Sequence, residues 1–154
     1  MPSLLDLLGN NDKEKLIEQR IIRGSVIKIS NLFKQGGSVK YLVILGKNPS
    51  GDFIGSVCIN TPRNNGLMQN DSVFKDLQHY IFKSKNGFLK HDSLVNCSQI
   101  TRLSCDRIKE CFNDNFDNHL GFLDEADVKE VIKKVVSAPT ITPKQLKEFQ
   151  LLGA

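Results

Sequence analysis

Apolar residues along the chain recur first at a helical interval, then at an alternating one, and again at the helical interval near the end. Leu16, Ile17 and Ile21 form the first helical stripe. This stripe predicts an amphipathic helix over residues 10–22, with Asp12 as its amino-terminal cap. Runs rich in β-branched residues come next and predict five strands. These strands cover residues 25–30, 39–45, 53–60, 77–83 and 93–98.

Turn-forming and capping residues mark the connections between these elements. The polar residues 47–52 predict that the second and third strands form a hairpin. Ser104 is predicted to cap a helix, and a second helix is predicted to start at Asp124. Thr142 followed by Pro143 predicts a capping box and a short terminal helix. Strands followed by helices are typical of an α+β fold. We expect a small, mostly antiparallel sheet or barrel with appended carboxy-terminal helices and a short amino-terminal helix.

The composition is that of an ordinary globular protein. The chain has 154 residues, of which 40% are hydrophobic and 25% charged, and this length suits one domain with a substantial core. No apolar stretch approaches the roughly 18 residues that a membrane-spanning helix needs. The apolar patch in residues 4–8 lacks the basic region of a signal peptide. We therefore expect a cytoplasmic protein without a membrane segment.

The spacing of cysteine and histidine argues against a metal site. The four cysteines form no C-x-x-C pair, and the three histidines have no histidine partner at i+4. The chain also lacks the glycine-rich phosphate-binding motifs and the G-x-S-x-G motif, which disfavours NTPases, dinucleotide-binding enzymes and serine hydrolases. We expect reduced, mostly buried thiols and neither a metal nor a cofactor.

Positive charge is concentrated in the first part of the chain. Residues 1–90 hold 13 basic and 7 acidic residues, a balance of +6, whereas residues 91–154 hold 8 basic and 10 acidic residues, a balance of −2. No acidic residue lies between Glu18 and Asp52. The basic residues in that window are Arg20, Arg23, Lys28, Lys34, Lys40 and Lys47. Such a window attracts polyanions if its side chains cluster, and it is a solvated face if acids from elsewhere pair with it.

Side chains that could bind a phosphodiester follow three of the predicted segments. Lys40 comes after a loop that contains Gly36 and Gly37, and Thr61 and Arg63 come after the third strand. The residues after the fifth strand include Gln99, Thr101 and Arg102. Cations together with hydroxyl and amide groups suit a phosphodiester, because they orient it and neutralise charge that develops on its oxygens. The alternative to a phosphodiester site is that the lysines are solvated and that the strand-end threonines bond their own backbone.

Four short motifs occur in the order found in a known family. They lie at residues 23–24 with the glycine pair and the apolar strand 41–44, at residues 58–61, at residues 89–100, and at residues 120–123 before an acidic helix start. Together they resemble the MazF/PemK (Kid-like) toxins. The segment LKHDSLVNCSQI, residues 89–100, carries the most specific part of the resemblance, an Asp-Ser pair followed by Gln-Ile.

The resemblance covers about residues 22–137. It implies an SH3-like β-barrel that is usually a homodimer, and it divides the chain into three parts. These are an amino-terminal helical extension (residues 1–22), a MazF/PemK-like barrel domain (residues 23–137), and a linker with a short carboxy-terminal helix (residues 138–154). The family's activity is metal-independent cleavage of single-stranded RNA through attack by the 2′-hydroxyl. The resemblance therefore implies a growth-inhibiting endoribonuclease of a toxin–antitoxin system, whose cognate antitoxin protein covers the RNA groove.

The sequence departs from the family pattern at the catalytic cation. Where the family has Arg-Pro after the glycine pair, this chain has Lys40-Tyr41, and lysine keeps the charge but lacks the planar fork that grips two phosphate oxygens. The family's E-Q-I-R-T is Ser-Gln-Ile-Thr-Arg at residues 98–102, so the glutamate is absent and the arginine lies one position later. A shift of one position along an extended segment moves a side chain to the other face.

On this resemblance, three residues are candidates for catalysis and four for RNA binding. Lys40 would stabilise the reacting phosphate or protonate the leaving oxygen, Thr61 would position that phosphate, and Arg63 would hold a neighbouring one. The RNA-binding candidates are Lys34, Lys47, Gln99 and Arg102. A structural role at the strand exit is the alternative interpretation of Gln99.

Two other functions stay open. A catalytically degenerate PemK-like module would bind RNA or a protein partner without cleavage, which the altered cation and the missing glutamate favour. In the second of these functions the chain shares only its architecture with the MazF/PemK family. Apolar residues near the two ends of the chain would then dock onto an unrelated partner. The alternative for these end residues is packing against the barrel or a dimer partner. They are Leu4, Leu5, Leu7, Leu8, Leu146, Phe149, Leu151 and Leu152.

Overall fold

The computed structural model describes residues 9–30, 39–60 and 75–152. Within these ranges the chain forms seven strands, four α-helices and one 3₁₀ turn, Phe116–Asn118. The strands are β1 (Ser25–Ser30), β2 (Val39–Lys47), β3 (Phe53–Asn60), β4 (Gln78–Ile81), β5 (Ser93–Asn96), β6 (Thr101–Ser104) and β7 (His119–Phe122). The helices are α1 (Asn10–Arg20), α2 (Cys105–Asp114), α3 (Glu125–Ser137) and α4 (Pro143–Glu148).

The seven strands form one antiparallel sheet that curls into a half-barrel. The order across the sheet is β4-β5-β3-β2-β1-β7. β3 is the branch point, because one of its edges pairs with β2 while its other edge pairs with β6 along its first half and with β5 along its second half. The expectation of a small antiparallel sheet with appended helices is confirmed in this general form.

Most of the predicted elements are present, and their ends follow local capping chemistry. All five predicted strands form, and β2 and β3 are paired as a hairpin. The Ser104 hydroxyl accepts from the Arg107 amide at 3.2 Å, so the predicted cap is confirmed. The helix predicted to start at Asp124 is present as well, and the Asp124 carboxylate caps it by accepting from the Ala126 amide at 3.2 Å. The capping box of α4 is confirmed as well.

The first helix and two short strands differ from the sequence prediction. The cap of α1 is Gly9, with no side-chain hydrogen bond, so the prediction of Asp12 as the cap is wrong; Asp12 lies in the first turn, where its charge suits the helix dipole. The helix ends at Arg20 instead of residue 22. β6 (TRLS) and β7 (HLGF) were not predicted, because neither contains the run of apolar or β-branched residues that indicates a strand.

The alternation of side chains along the strands gives the sheet two buried faces. On one face Val43, Val57 and Val95 pack against α3 and α4. On the other face Leu42, Ile44 and neighbouring residues pack against α1 and α2. Two small cores on opposite sides of one sheet therefore hold the helices in place, and burial of apolar surface is the main stabilising term.

The carboxy-terminal segment is part of the first core. Phe149 is 1% exposed, and its ring lies directly over Gly55 in β3, where a Cβ atom would be only 2.5 Å from the ring. Three of the four apolar residues near the carboxy terminus are buried, and only Leu152 is exposed. Packing is thus the role of this stripe. The four leucines near the amino terminus lie outside the described residues.

A buried polar network ties β4 to the start of α3. The Asp127 carboxylate bonds His79 Nε2 at 2.9 Å through one oxygen and accepts from Asn86 Nδ2 at 3.1 Å through the other. The Asn86 side-chain oxygen accepts in turn from the backbone amide of Asp124 at 2.9 Å. Because Asn86 is buried, these bonds satisfy groups that would otherwise be costly to remove from water.

None of the helices in the described ranges is long and apolar enough to cross a membrane.

The four cysteines are all free thiols, and Cys97 is the most completely buried. Burial raises the pKa of the Cys97 thiol to about 12, against a smaller opposing effect of Lys134. Its pKa in the unfolded chain is about 8.5. Between these values the unfolded state has lost the proton that the folded state keeps, so the free energy of unfolding falls as the pH rises.

We expect the Cys97 contribution to fall by up to about 1.4 kcal/mol for each pH unit above about 8.5. Urea unfolding at pH 8 and pH 10 measures it, with Cys97→Ala as the comparison. The variant is less stable at pH 8 because it leaves a small cavity, but it should lose less stability between the two pH values than the parent protein. An identical loss in both proteins would contradict the assignment.

Candidate functional site

A small polar pocket of about 160 Å³ lies where β2, β3, β5 and β6 approach one another. Its lining residues carry an ammonium, three amides, a hydroxyl and a thiol. They are Lys40, Cys58, Asn60, Asn96, Gln99 and Thr101. Two of the sequence-predicted site residues, Lys40 and Gln99, are therefore brought together, although they are 59 positions apart in the chain.

The strand registers explain why these side chains meet. Residues two apart on a strand face the same side, so Cys58 and Asn60 point the same way from β3. Ser56 of β3 pairs with Thr101 of β6, which puts Thr101 on that same side. Tyr41 pairs with Ile59, so the next position places Lys40 of β2 across from Asn60. The pocket thus collects the polar ends of strands whose inner residues are buried.

Lys40 supplies the positive charge of the pocket. Within the described ranges the ion pairs are His79–Asp127, Arg102–Glu148 and Lys109–Glu18. None of them involves Lys40, so no described acid neutralises its ammonium group. A cation without a partner, flanked by amides and a hydroxyl, attracts an anionic group of a ligand.

Cys58 sits at the inner wall of the pocket and is not suited to act as a nucleophile. Its sulfur is 3.8 Å from the Thr101 hydroxyl. Burial raises the pKa of the Cys58 thiol above its ordinary value, although the Thr101 hydrogen bond and the charge of Lys40 act in the opposite direction. The thiol therefore stays protonated near neutral pH, and only the thiolate is a good nucleophile.

Gln99 lies in the connection between β5 and β6 with its side chain exposed. The residues on either side of it, Ser98 and Ile100, are buried and anchor this connection. Among the described residues, no hydrogen-bond partner holds the Gln99 amide. Its side chain is therefore available to a ligand in the pocket.

Arg102 points away from the pocket. Its Nε donates to Glu148 Oε1 at 2.8 Å, and its guanidinium carbon is 3.5 Å from the centre of the Phe53 ring. The neighbouring Thr101 faces the pocket, so the alternation of β6 sends Arg102 to the opposite side. The structure therefore separates Arg102 from Lys40 and engages its guanidinium with α4.

The remaining predicted residues are not placed at the pocket. Lys47 is at the far end of β2, seven positions from Lys40, and its carbonyl accepts from Gln150 Nε2 at 3.0 Å. Seven residues of a strand span roughly 23 Å, so one nucleotide cannot contact both lysines. Lys34, Thr61 and Arg63 lie outside the described residues.

Two amides of the pocket, Asn60 and Asn96, were not identified from the sequence. Each is the last residue of a strand whose inner positions are mostly apolar and buried. A polar residue that ends a buried strand is a weak signal on its own, because most such residues only terminate the strand. What could not be seen in the sequence is that both strands end at the same place.

A larger groove of about 810 Å³ lies beside α3, away from this pocket. Its floor is mainly apolar, with Phe122, Val128 and Ile132, and basic side chains such as Lys129 stand at its rim. Its described lining has one hydroxyl, Ser137, but none of the amide side chains that converge in the smaller pocket. The small polar pocket is therefore the candidate site for chemistry.

Within residues 9–30, 39–60 and 75–152, no group of three or more His, Cys, Asp or Glu side chains is arranged to hold a metal ion.

No model of a known protein family matches the chain, and no curated protein matches it.

Proposed function

We propose that this chain is a MazF/PemK-like endoribonuclease that cleaves single-stranded RNA without a metal ion, and that it is the growth-inhibiting toxin of a toxin–antitoxin pair. The observation that carries the proposal is the pocket in which the ammonium of Lys40, unpaired among the described residues, meets the amides of Asn60, Asn96 and Gln99 and the hydroxyl of Thr101. These groups suit the cleavage of a phosphodiester, because its transition state is stabilised by a positive charge and by several hydrogen-bond donors.

The arrangement of the sheet supports the proposal. Lys40 is at the start of β2, and Asn60 is at the end of the antiparallel strand β3. Both are therefore at the open end of the hairpin, away from its turn. Thr61 follows Asn60 directly in the chain. In the resembled family these two places hold the catalytic cation and the catalytic hydroxyl, on an SH3-like barrel. The curled half-barrel sheet is compatible with that architecture.

The proposed reaction needs only the chain, its RNA substrate and water, which accepts the proton of the 2′-hydroxyl and supplies one to the 5′-oxygen where Lys40 does not. The 2′-oxygen of the RNA forms a bond to the adjacent phosphorus, its proton passes to solvent, and the bond from phosphorus to the 5′-oxygen breaks. The products are a cyclic phosphate and a 5′-hydroxyl end. Lys40 neutralises the charge that grows on the phosphate oxygens or protonates the leaving 5′-oxygen. We assign Thr61 to orientation of that phosphate and Arg63 to the neighbouring one.

The proposal includes the setting that the resemblance implies. The protein would act as a homodimer in the cytoplasm, with single-stranded RNA as substrate. A cognate antitoxin protein would block the RNA groove. No described acid neutralises Lys40, and its charge favours an acidic occupant of the pocket in either state, RNA or antitoxin.

The test is to incubate the purified protein with a long single-stranded RNA in the presence of a chelator and to map new 5′ ends. The proposal requires discrete ends that carry a 5′-hydroxyl. The same ends must be lost in the Thr61→Ala variant, which excludes a contaminating nuclease. Absence of cleavage over a wide range of RNA sequences would overturn the proposal.

A second candidate function is a catalytically degenerate PemK-like module that binds RNA or a protein partner. The observation in its favour is Arg102, because its guanidinium is held by Glu148 and Phe53 instead of facing the pocket. Among the described residues this leaves Lys40 as the single cation of the pocket. RNA binding that weakens steeply with salt, without new 5′ ends, would favour this candidate over the first.

A further inference from the structure

We infer that Asn96 is a substrate-binding residue whose side-chain NH₂ group holds a phosphate oxygen of RNA beside Lys40. This inference rests on the proposed function and adds to it a residue that the sequence comparison with the MazF/PemK pattern does not assign. Three features support it: the fixed orientation of the Asn96 amide, the donor that this orientation leaves free, and the cation that lines the same pocket.

The orientation of the Asn96 amide is fixed by its neighbours. Its Oδ1 accepts from the backbone amide of Ser98 at 3.1 Å and from Gln78 Nε2 at 3.0 Å. The Ser98 hydroxyl donates to the same atom. A backbone N–H can only donate, so the atom that faces Ser98 must be the oxygen of the amide. A flipped amide would place Nδ2 against the Ser98 N–H, donor against donor, and lose that bond.

The nitrogen of the same amide is left for the pocket. Among the described residues, no acceptor is bonded to Asn96 Nδ2, and Asn96 lines the pocket together with Lys40. Asn60 and Gln99 also line it, but no hydrogen bond within the described part of the chain fixes the orientation of their amides. Asn96 is thus the amide of the pocket that presents a donor in a fixed position.

Buried residues hold this arrangement in place. Gln78 and Ser98 are 8% and 7% exposed. The Ser98 carbonyl accepts a short hydrogen bond from the Thr140 hydroxyl, in the segment between α3 and α4. A donor whose support is buried does not have to reorient when charge develops on a ligand, and such preorganisation is the main source of electrostatic stabilisation in active sites.

The neighbouring charge determines the ligand class. A lone NH₂ group would serve equally well for a base carbonyl or for a phosphate oxygen. Beside an ammonium that no described acid neutralises, the anionic phosphate oxygen is the better acceptor, because charge-assisted hydrogen bonds are roughly twice as strong as neutral ones. The pocket therefore binds the phosphodiester of RNA through Lys40 and Asn96 together.

The test replaces Asn96 with aspartate, which keeps the oxygen that Ser98 and Gln78 bond and exchanges the NH₂ group for a second oxygen. Asn96→Asp should lower kcat/KM for RNA cleavage about 10–100-fold, with a melting temperature close to that of the parent protein. Asn113→Asp, the same change at an exposed helical position, controls for net charge and should cleave like the parent protein. Cleavage by Asn96→Asp at the parent rate would overturn the inference and leave the proposed function intact.

Two further measurements separate the remaining outcomes. A methylphosphonate linkage at the cleavage site removes the charged oxygen, and with this RNA the Asn96→Asp change should have little additional effect. If its effect persists undiminished, Asn96 contacts a base and the inference is wrong. If the parent protein does not cleave RNA at all, the proposed function fails. The inference is then decided by titration with a 2′-deoxy oligonucleotide, which must shift the NMR signal of the Asn96 side-chain NH₂ group.

Discussion

Replacement of Lys40 by alanine is expected to lower the rate of RNA cleavage about 10²–10³-fold, which is the usual cost of removing one group that stabilises charge in a transition state. Lys40 is the cation that the structure places in the polar pocket without an acidic partner among the described residues. Its removal leaves the phosphate with amide and hydroxyl donors only. The measurement is kcat/KM for a single-site RNA, with 5′ ends mapped as described above.

Two variants make this result interpretable. Lys144→Ala removes the same charge from an exposed position on α4 and should cleave RNA at the parent rate. Lys40→Arg restores the guanidinium of the resembled family and is expected to retain activity or raise it, because a planar fork can bond two phosphate oxygens. If Lys40→Ala cleaves as fast as the parent protein, Lys40 has no part in the reaction and the site assignment is wrong.

Replacement of Phe149 by alanine is expected to destabilise the protein by about 3–5 kcal/mol, the typical cost of truncating a buried aromatic residue. Its ring is 1% exposed and fills the slot that Gly55 leaves open in β3. The change would leave a cavity between the sheet and α4. Unfolding in urea, followed by circular dichroism, gives the difference in free energy.

Leu152→Ala is the control for Phe149, because Leu152 belongs to the same apolar stripe but is 48% exposed. We expect it to change the free energy of unfolding by less than about 1 kcal/mol. A Phe149→Ala variant as stable as Leu152→Ala would show that the carboxy-terminal segment does not pack as described. This pair tests the fold independently of the RNA site, and Lys40→Ala tests the site independently of the fold.

The local structure of this protein could be predicted from the sequence wherever the residues that stabilise it lie within one short segment. Ser104, Asp124 and the Thr142–Gln145 box cap their helices because the donor and the acceptor are two or three residues apart. The β2–β3 hairpin follows from its turn residues in the same way. α1 was less well predicted, since a glycine cap without a side-chain bond leaves no signal in the sequence.

The faces of the strands were also partly predictable. Alternation along β2 and β3 shows that neighbouring side chains go to opposite sides, but both sides of this sheet are buried. A strand that is apolar on both faces gives no indication of which face meets which helix. The same limit applies to Arg102. Its shift by one position from the family pattern indicated a change of face, but its partners Glu148 and Phe53 are distant in sequence and could not be predicted.

The sequence by itself determined five of the seven described strands, the starts of α2, α3 and α4, and the excess of positive charge near Lys40. The tertiary structure alone decided that β3 pairs with both β5 and β6, and this branching brings Asn96 and Thr101 to the side of Lys40. It also decided that Phe149 fills the slot at Gly55. The physical reason is that backbone conformation depends on nearby residues, whereas a binding pocket depends on the register between strands that lie far apart in the chain.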